Sequence, residues 1–135
     1  MRKARRTRGQ FPFMAAFENF WGNEAVALTL ANMIESGRIP QTILLGGPEG
    51  IGKATLARRF AARILGDSAK IEQDDLSVEA NLEVMEQRER LSAEKRAEDP
   101  LLFSTHPDFV TFPPDGPLRQ ISIQQIRLLT KQSQL

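Results

Sequence analysis

Apolar residues recur at helical spacing between residues 22 and 37: Ala25, Leu28, Ala31 and Ile34 fall three apart, and Val26, Leu30 and Met33 widen the same face. That spacing predicts an amphipathic helix, and Gly37 is placed to stop it. Pro40 breaks the chain again before Thr42-Ile43-Leu44-Leu45, a short apolar run bounded by proline and glycine that suits a buried strand of a parallel sheet. The glycine-rich stretch Gly46-Gly47-Pro48-Glu49-Gly50-Ile51-Gly52 predicts a tight loop. From Lys53 onward Leu56, Phe60 and Ile64, with Ala57, Ala61 and Ala62 beside them, restore a helix that ends near Gly66. The order is helix, strand, glycine loop, helix.

Beyond residue 66 the pattern weakens. Residues 67–100 are dense in charge and contain no aromatic side chain. Val78, Leu82 and Met85 leave a thin apolar stripe, and Glu86 stands four residues before Arg90, the spacing of a helical ion pair. The segment reads either as a charged helix or as a mobile excursion, and its small apolar area against the entropy of ordering it makes mobility the expectation. After His106-Pro107-Asp108 comes Phe109-Val110-Thr111-Phe112, a second candidate strand, stopped by Pro113-Pro114-Asp115-Gly116-Pro117. Ile121-Ser122-Ile123 then leads into residues 124–132, where Ile126, Leu128 and Leu129 predict a last helix. No internal repeat is visible.

Composition narrows the classes. The 135 residues contain no cysteine and one histidine, which excludes a disulfide framework and a thiolate metal site; zinc is not expected. No run of eighteen apolar residues occurs, so no membrane span is predicted and a soluble chain is expected. The net charge of +1 hides an asymmetry. Arg2, Lys3, Arg5, Arg6 and Arg8 crowd the start, leaving 13 basic against 17 acidic groups in residues 9–135. Residues 1–13 read as a basic, disordered leader with no apolar segment of a signal peptide behind it, and Met14 is a candidate natural start. A basic arm can also bind nucleic acid through phosphate charge.

The chemistry is concentrated at Gly47, Pro48, Glu49, Gly50, Ile51, Gly52 and Lys53, which match G-x-x-x-x-G-K between a predicted strand and a predicted helix. In such a loop glycines let backbone N–H groups converge on phosphate oxygens, the helix N-terminus adds its positive end, and the lysine reaches the outer phosphates. The position after the lysine normally supplies the Mg²⁺-binding hydroxyl. Here it is Ala54. Thr55 follows one residue late, about 100° away around the helix. An apolar strand ending in an acidic pair, the second requirement for hydrolysis, does not occur in the sequence. Weak binding of ATP or ADP, poorly coupled to magnesium and without turnover, is the expectation.

Taken together, Phe20-Trp21-Gly22-Asn23-Glu24, the stretch from Gly37 to Lys53, His106-Pro107-Asp108 and Ile121-Ser122-Ile123-Gln124-Gln125-Ile126-Arg127 resemble the N-terminal part of bacterial DNA polymerase III clamp-loader subunits. The delta-prime type fits best, because gamma and tau ATPase subunits are expected to carry Thr or Ser where this chain has Ala54. The resemblance implies an α/β fold, a P-loop (AAA+) three-layer core with a parallel sheet, incomplete at its C-terminus, in residues 14–135. It implies a cytoplasmic, largely non-hydrolysing ring subunit that helps place the sliding clamp on primed DNA, with gamma/tau and delta types as partners within a polymerase holoenzyme. It also implies that Phe20, Trp21 and Gly22 flank the adenine, although packing of Trp21 on the first helix explains that residue as well. Relatives commonly carry a four-cysteine zinc module after the phosphate-loop helix. This chain has the charged, cysteine-free insertion 67–104 instead. An unfinished sheet would leave an open strand edge, so self-association is expected.

Other residues carry weaker signals. Arg58, Arg59 and Arg63 fit a solvated helix face, with a DNA- or partner-facing role as the alternative, and Arg127 fits either water or a neighbouring subunit. His106 reads as a turn residue before Pro107. The rival functions are an ATP-hydrolysing gamma/tau-type subunit, which Ala54 opposes, a small-molecule P-loop kinase, which the acidic 67–104 segment opposes, and an interaction module in which the loop is a relic.

Overall fold

The computed structural model describes residues 16, 17, 20 and 22–133; the basic leader 1–13, Met14 and Trp21 lie outside the described residues. The chain forms two compact units, Met1–Ser68 and Ala69–Leu135.

In the first unit, α1 (Glu24–Ser36) and α2 (Lys53–Leu65) pack on one another around Ala16, Phe17, Ala27, Leu30, Ala31 and Leu56. Both helices fall within a residue or two of the predicted ones. The buried face of α1 is Ala27, Leu30 and Ala31, however, while Val26 and Leu28 remain more than a third exposed. Apolar residues occupy most positions of this helix, so periodicity alone left the inward face ambiguous, and contact with α2 and Phe17 decides it. Phe17 meets Phe60 with ring centroids 6.3 Å apart, and the Arg63 guanidinium lies 5.5 Å from the centre of the Phe17 ring. Arg63 also donates to the Ala16 carbonyl.

The expected strands do not form ladders among the described residues. No backbone–backbone hydrogen bond ties residues 42–48 to another described segment. Ile43 and Leu45 turn toward the core, and Leu44 between them is 92% exposed. That alternation is strand-like, but a segment becomes a strand only when a neighbour takes up its N–H and C=O groups. Within 108–112, Thr111 makes one isolated antiparallel bridge with Phe103, both N–H to O=C distances being 2.8 Å. The observed pairing is thus local and antiparallel where a parallel neighbour was expected.

The second unit contains α4 (Glu79–Glu89), α5 (Ala93–Glu98) and α6 (Ile123–Ser133), and the short α3 (Ser68–Glu72) straddles the unit boundary. Within 67–104 the chain forms three separate helices, α3, α4 and α5. Few apolar side chains are buried there, Ile71 and Leu101 being the clearest. Polar clamps supply the rest. Arg88 reaches Asp115 through Nε (2.9 Å) and a second nitrogen (2.7 Å), and donates to the Arg96 carbonyl at 3.2 Å. Gln125, fully buried, donates to the carbonyls of Leu101 (2.9 Å) and Pro113 (2.7 Å). Its side-chain oxygen accepts the Ser122 N–H, and Ser122 Oγ accepts the Gln125 N–H, a reciprocal capping box that starts α6.

The hydrogen bond to Asp115 raises the Arg88 pKa still further, with burial opposing it in part. Stability from a raised pKa is present at all lower pH values and lost only above it, so this arginine stays charged across the accessible range. The side chains of the pair are 10% and 2% exposed. Arg88→Ala leaves the Asp115 carboxylate buried and unpaired, and urea unfolding is expected to show a loss of about 3–5 kcal/mol. Arg88→Lys should restore only part of it, because an ammonium cannot make the two-pronged contact.

Candidate phosphate-loop site

The loop before α2 bends through backbone angles that favour glycine. Gly47 has φ 151°, Gly50 φ 82° and Gly52 φ 100°. At Gly52, which precedes the first residue of α2, an added Cβ would stand 3.4 Å from Cε1 of Phe20. At Gly47 it would stand 3.4 Å from Cγ2 of Ile51. An added side chain at either glycine would thus start at ordinary van der Waals distance from Phe20 or Ile51. The first turn of α2 contains no acidic residue, so its free N–H groups and positive dipole end are not neutralised from within that turn.

Lys53 opens α2, and its ammonium is engaged by the loop itself. Nζ donates to the Gly47 carbonyl and, at 3.3 Å, to the Pro48 carbonyl. Ala54 is exposed and offers no oxygen. Thr55 is half-buried, and its hydroxyl accepts from Arg58 at 3.3 Å, so that oxygen is engaged along α2. Glu49 is exposed.

A cavity of about 140 Å³ adjoins the loop, lined by Phe20, Asn23, Val26, Leu44, Leu45, Gly46, Ile51, Gly52, Lys53 and Leu56. It is small beside the roughly 300–1,000 Å³ of ordinary ligand sites. The structure places Phe20 in the lining of the cavity beside the loop. Gly22 is exposed and outside the lining, and Trp21 lies outside the described residues. Asn23, Val26, Leu44, Leu45 and Leu56 were not singled out from the sequence as site residues. The i, i+3 spacing of Asn23 and Val26 on α1 was the available signal.

The arginines of α2 depart from the expected solvated face. Arg58 is buried, and Arg63, though exposed, is held by Phe17 and the Ala16 carbonyl. An arginine stem covers apolar surface while its head finds oxygen acceptors, which periodicity does not reveal. His106 is the turn residue it resembles: Nδ1 accepts the Asp108 N–H at 3.0 Å. Arg127 is exposed on α6. Among the described residues no group of three or more His, Cys, Asp and Glu is placed to hold a metal ion, and no helix is long and apolar enough to cross a membrane.

Gly52→Ala is expected to destabilise the chain by about 1–3 kcal/mol, because it combines a strained φ with contact on Phe20. Gly37→Ala, at φ 69° with nothing within 4 Å of the added carbon, should cost less. Urea unfolding of the two variants side by side checks the difference.

Residues 22–135 match the family described as DNA polymerase III, delta subunit. Over 78 residues the chain is 33% identical to replication factor C subunit 4 of Encephalitozoon cuniculi (strain GB-M1), a match covering 58% of this chain and 25% of that protein. The chain therefore spans about a quarter of the length of that curated relative. No solved structure matches it. With a match that runs from the start of α1 through the phosphate loop, the His-Pro-Asp turn and α6, the chain belongs to the DNA polymerase III delta-subunit family, a family of clamp-loader type.

Proposed function

We propose that the chain is part of a delta-prime-type subunit of a DNA polymerase III clamp loader, a ring member that supports clamp loading on primed DNA without hydrolysing ATP. The observation that carries the subtype is Ala54, exposed at the position where a hydrolysing subunit needs its magnesium ligand, in a chain of this family. Thr55 does not substitute for it, since its hydroxyl is engaged by Arg58. In this reading the unit of α1, the 42–45 segment, the glycine loop and α2 is the phosphate-loop portion of an α/β P-loop core of AAA+ type. ATP or ADP binds there weakly. The partners are gamma/tau- and delta-type subunits, through which the protein meets the sliding clamp and DNA, in the cytoplasm.

The purified chain should show no ATP turnover above a blank, and isothermal titration should show ATP affinity that changes little when Mg²⁺ is added. Ala54→Thr should not create turnover, because an acidic strand end is still required. Tight, magnesium-dependent binding with turnover that disappears in Lys53→Ala would instead establish a gamma/tau-type ATPase. Co-purification with gamma/tau- and delta-type subunits tests the assembly role directly.

A further inference from the structure

In the second unit the sequence Asp115-Gly116 sets a carboxyl group beside the least hindered amide nitrogen that a following residue can offer. In a free peptide such a nitrogen attacks the aspartate Cγ. The new N–C bond closes a cyclic imide, and the amide proton departs with a carboxyl OH as water. Water then opens the ring at either carbonyl, giving aspartate or isoaspartate.

Here both reacting groups are held. Arg88 donates to the two carboxylate oxygens of Asp115 at 2.9 and 2.7 Å, within a buried pair, and is itself tied to the Arg96 carbonyl at 3.2 Å. The Asp115 N–H donates to the Gln120 carbonyl at 2.9 Å, and the Arg119 N–H to the Gly116 carbonyl at 3.1 Å, which closes the turn. The Arg96 guanidinium covers Gly116, since a Cβ added there would stand 2.7 Å from its Nε. A carboxyl oxygen must shed its arginine contact before it can take up a proton and leave. Cγ must also leave that two-pronged seat before it can swing toward the Gly116 nitrogen.

We infer that Asp115-Gly116 is a self-modification site that the Arg88 clamp keeps latent, with ring closure occurring only when the 115–120 turn lets go of α4. The reagents are the chain itself and water. Isoaspartate routes the main chain through Cβ and Cγ, lengthens it by one carbon and leaves the free carboxylate on Cα. The seat on Arg88 then cannot re-form, so each conversion removes the clamp permanently. Nothing in this step depends on nucleotide or on other subunits.

Incubating the whole chain in H₂¹⁸O reads the reaction, because each opening of the imide by solvent leaves one heavy oxygen at residue 115. Peptide mass spectrometry detects it, and isomer-resolving chromatography separates the isoaspartate. Uptake at residue 115 should be at least about a hundredfold slower in the folded chain than in urea, because it tracks the population of the open form. Without urea, Arg88→Ala should raise uptake by about a hundredfold, the effect of removing one partner of a buried pair. Arg88→Lys should fall between Arg88→Ala and wild type. Gln125→Ala, which releases the Leu101 and Pro113 carbonyls but leaves Arg88 and Asp115 intact, should raise it far less. Equal uptake in the folded and urea-unfolded wild type, no rise in Arg88→Ala, or the same rise in Gln125→Ala would each overturn the inference. Where Arg88→Ala does not fold, the wild-type comparison decides.

Discussion

Residues 46–52 must reverse the chain between an extended segment and a helix through angles that few side chains tolerate, and the chemistry of the first unit depends on how that bend is held. Phe20 lies near Gly52 and Ile51 near Gly47, and the Lys53 ammonium donates to the carbonyls of Gly47 and Pro48. The same geometry forms a small, chiefly apolar cavity beside the loop. At the start of α2 the Lys53 ammonium donates to two carbonyls of that loop. A magnesium-dependent reaction would need a hydroxyl at residue 54, where the chain has a methyl group.

The second unit meets a different constraint. With Ile71 and Leu101 as its clearest buried apolar side chains, burial of hydrocarbon supplies little. Arg88 and Gln125 carry long-range connections instead. Arg88 joins α4 to the turn containing Asp115 and to the Arg96 carbonyl, and Gln125 joins α6 to the carbonyls of Leu101 and Pro113. Such clamps are directional, so they specify the turns they close. They are also costly to break, because each leaves a partner buried without a bond.

Family membership and site geometry address different questions. Membership in the delta-subunit family places the chain among clamp-loader proteins, while Lys53 and Ala54 concern two adjacent positions within it. The proposed role follows from reading the glycine loop, with Ala54 after it, within that family.

Much of the helical architecture was legible from the chain. The periods of α1, α2 and α6 gave their positions, glycine and proline marked their ends, and G-x-x-x-x-G-K placed the loop and exposed the lack of a hydroxyl at residue 54. These are local properties, set by side-chain spacing and backbone sterics. Which face of α1 turns inward, that Arg58 is buried, that Phe20 rests on Gly52, and that Lys53 turns back on its own loop were decided by tertiary structure. The same holds for 67–104, where a buried guanidinium finds its carboxylate 27 residues further along, a pairing no local pattern encodes. Residues 42–45 show the converse: their apolar run suggested a buried strand, yet Leu44 is exposed, and a strand exists only where another segment supplies its hydrogen bonds, which depends on the neighbours brought beside it.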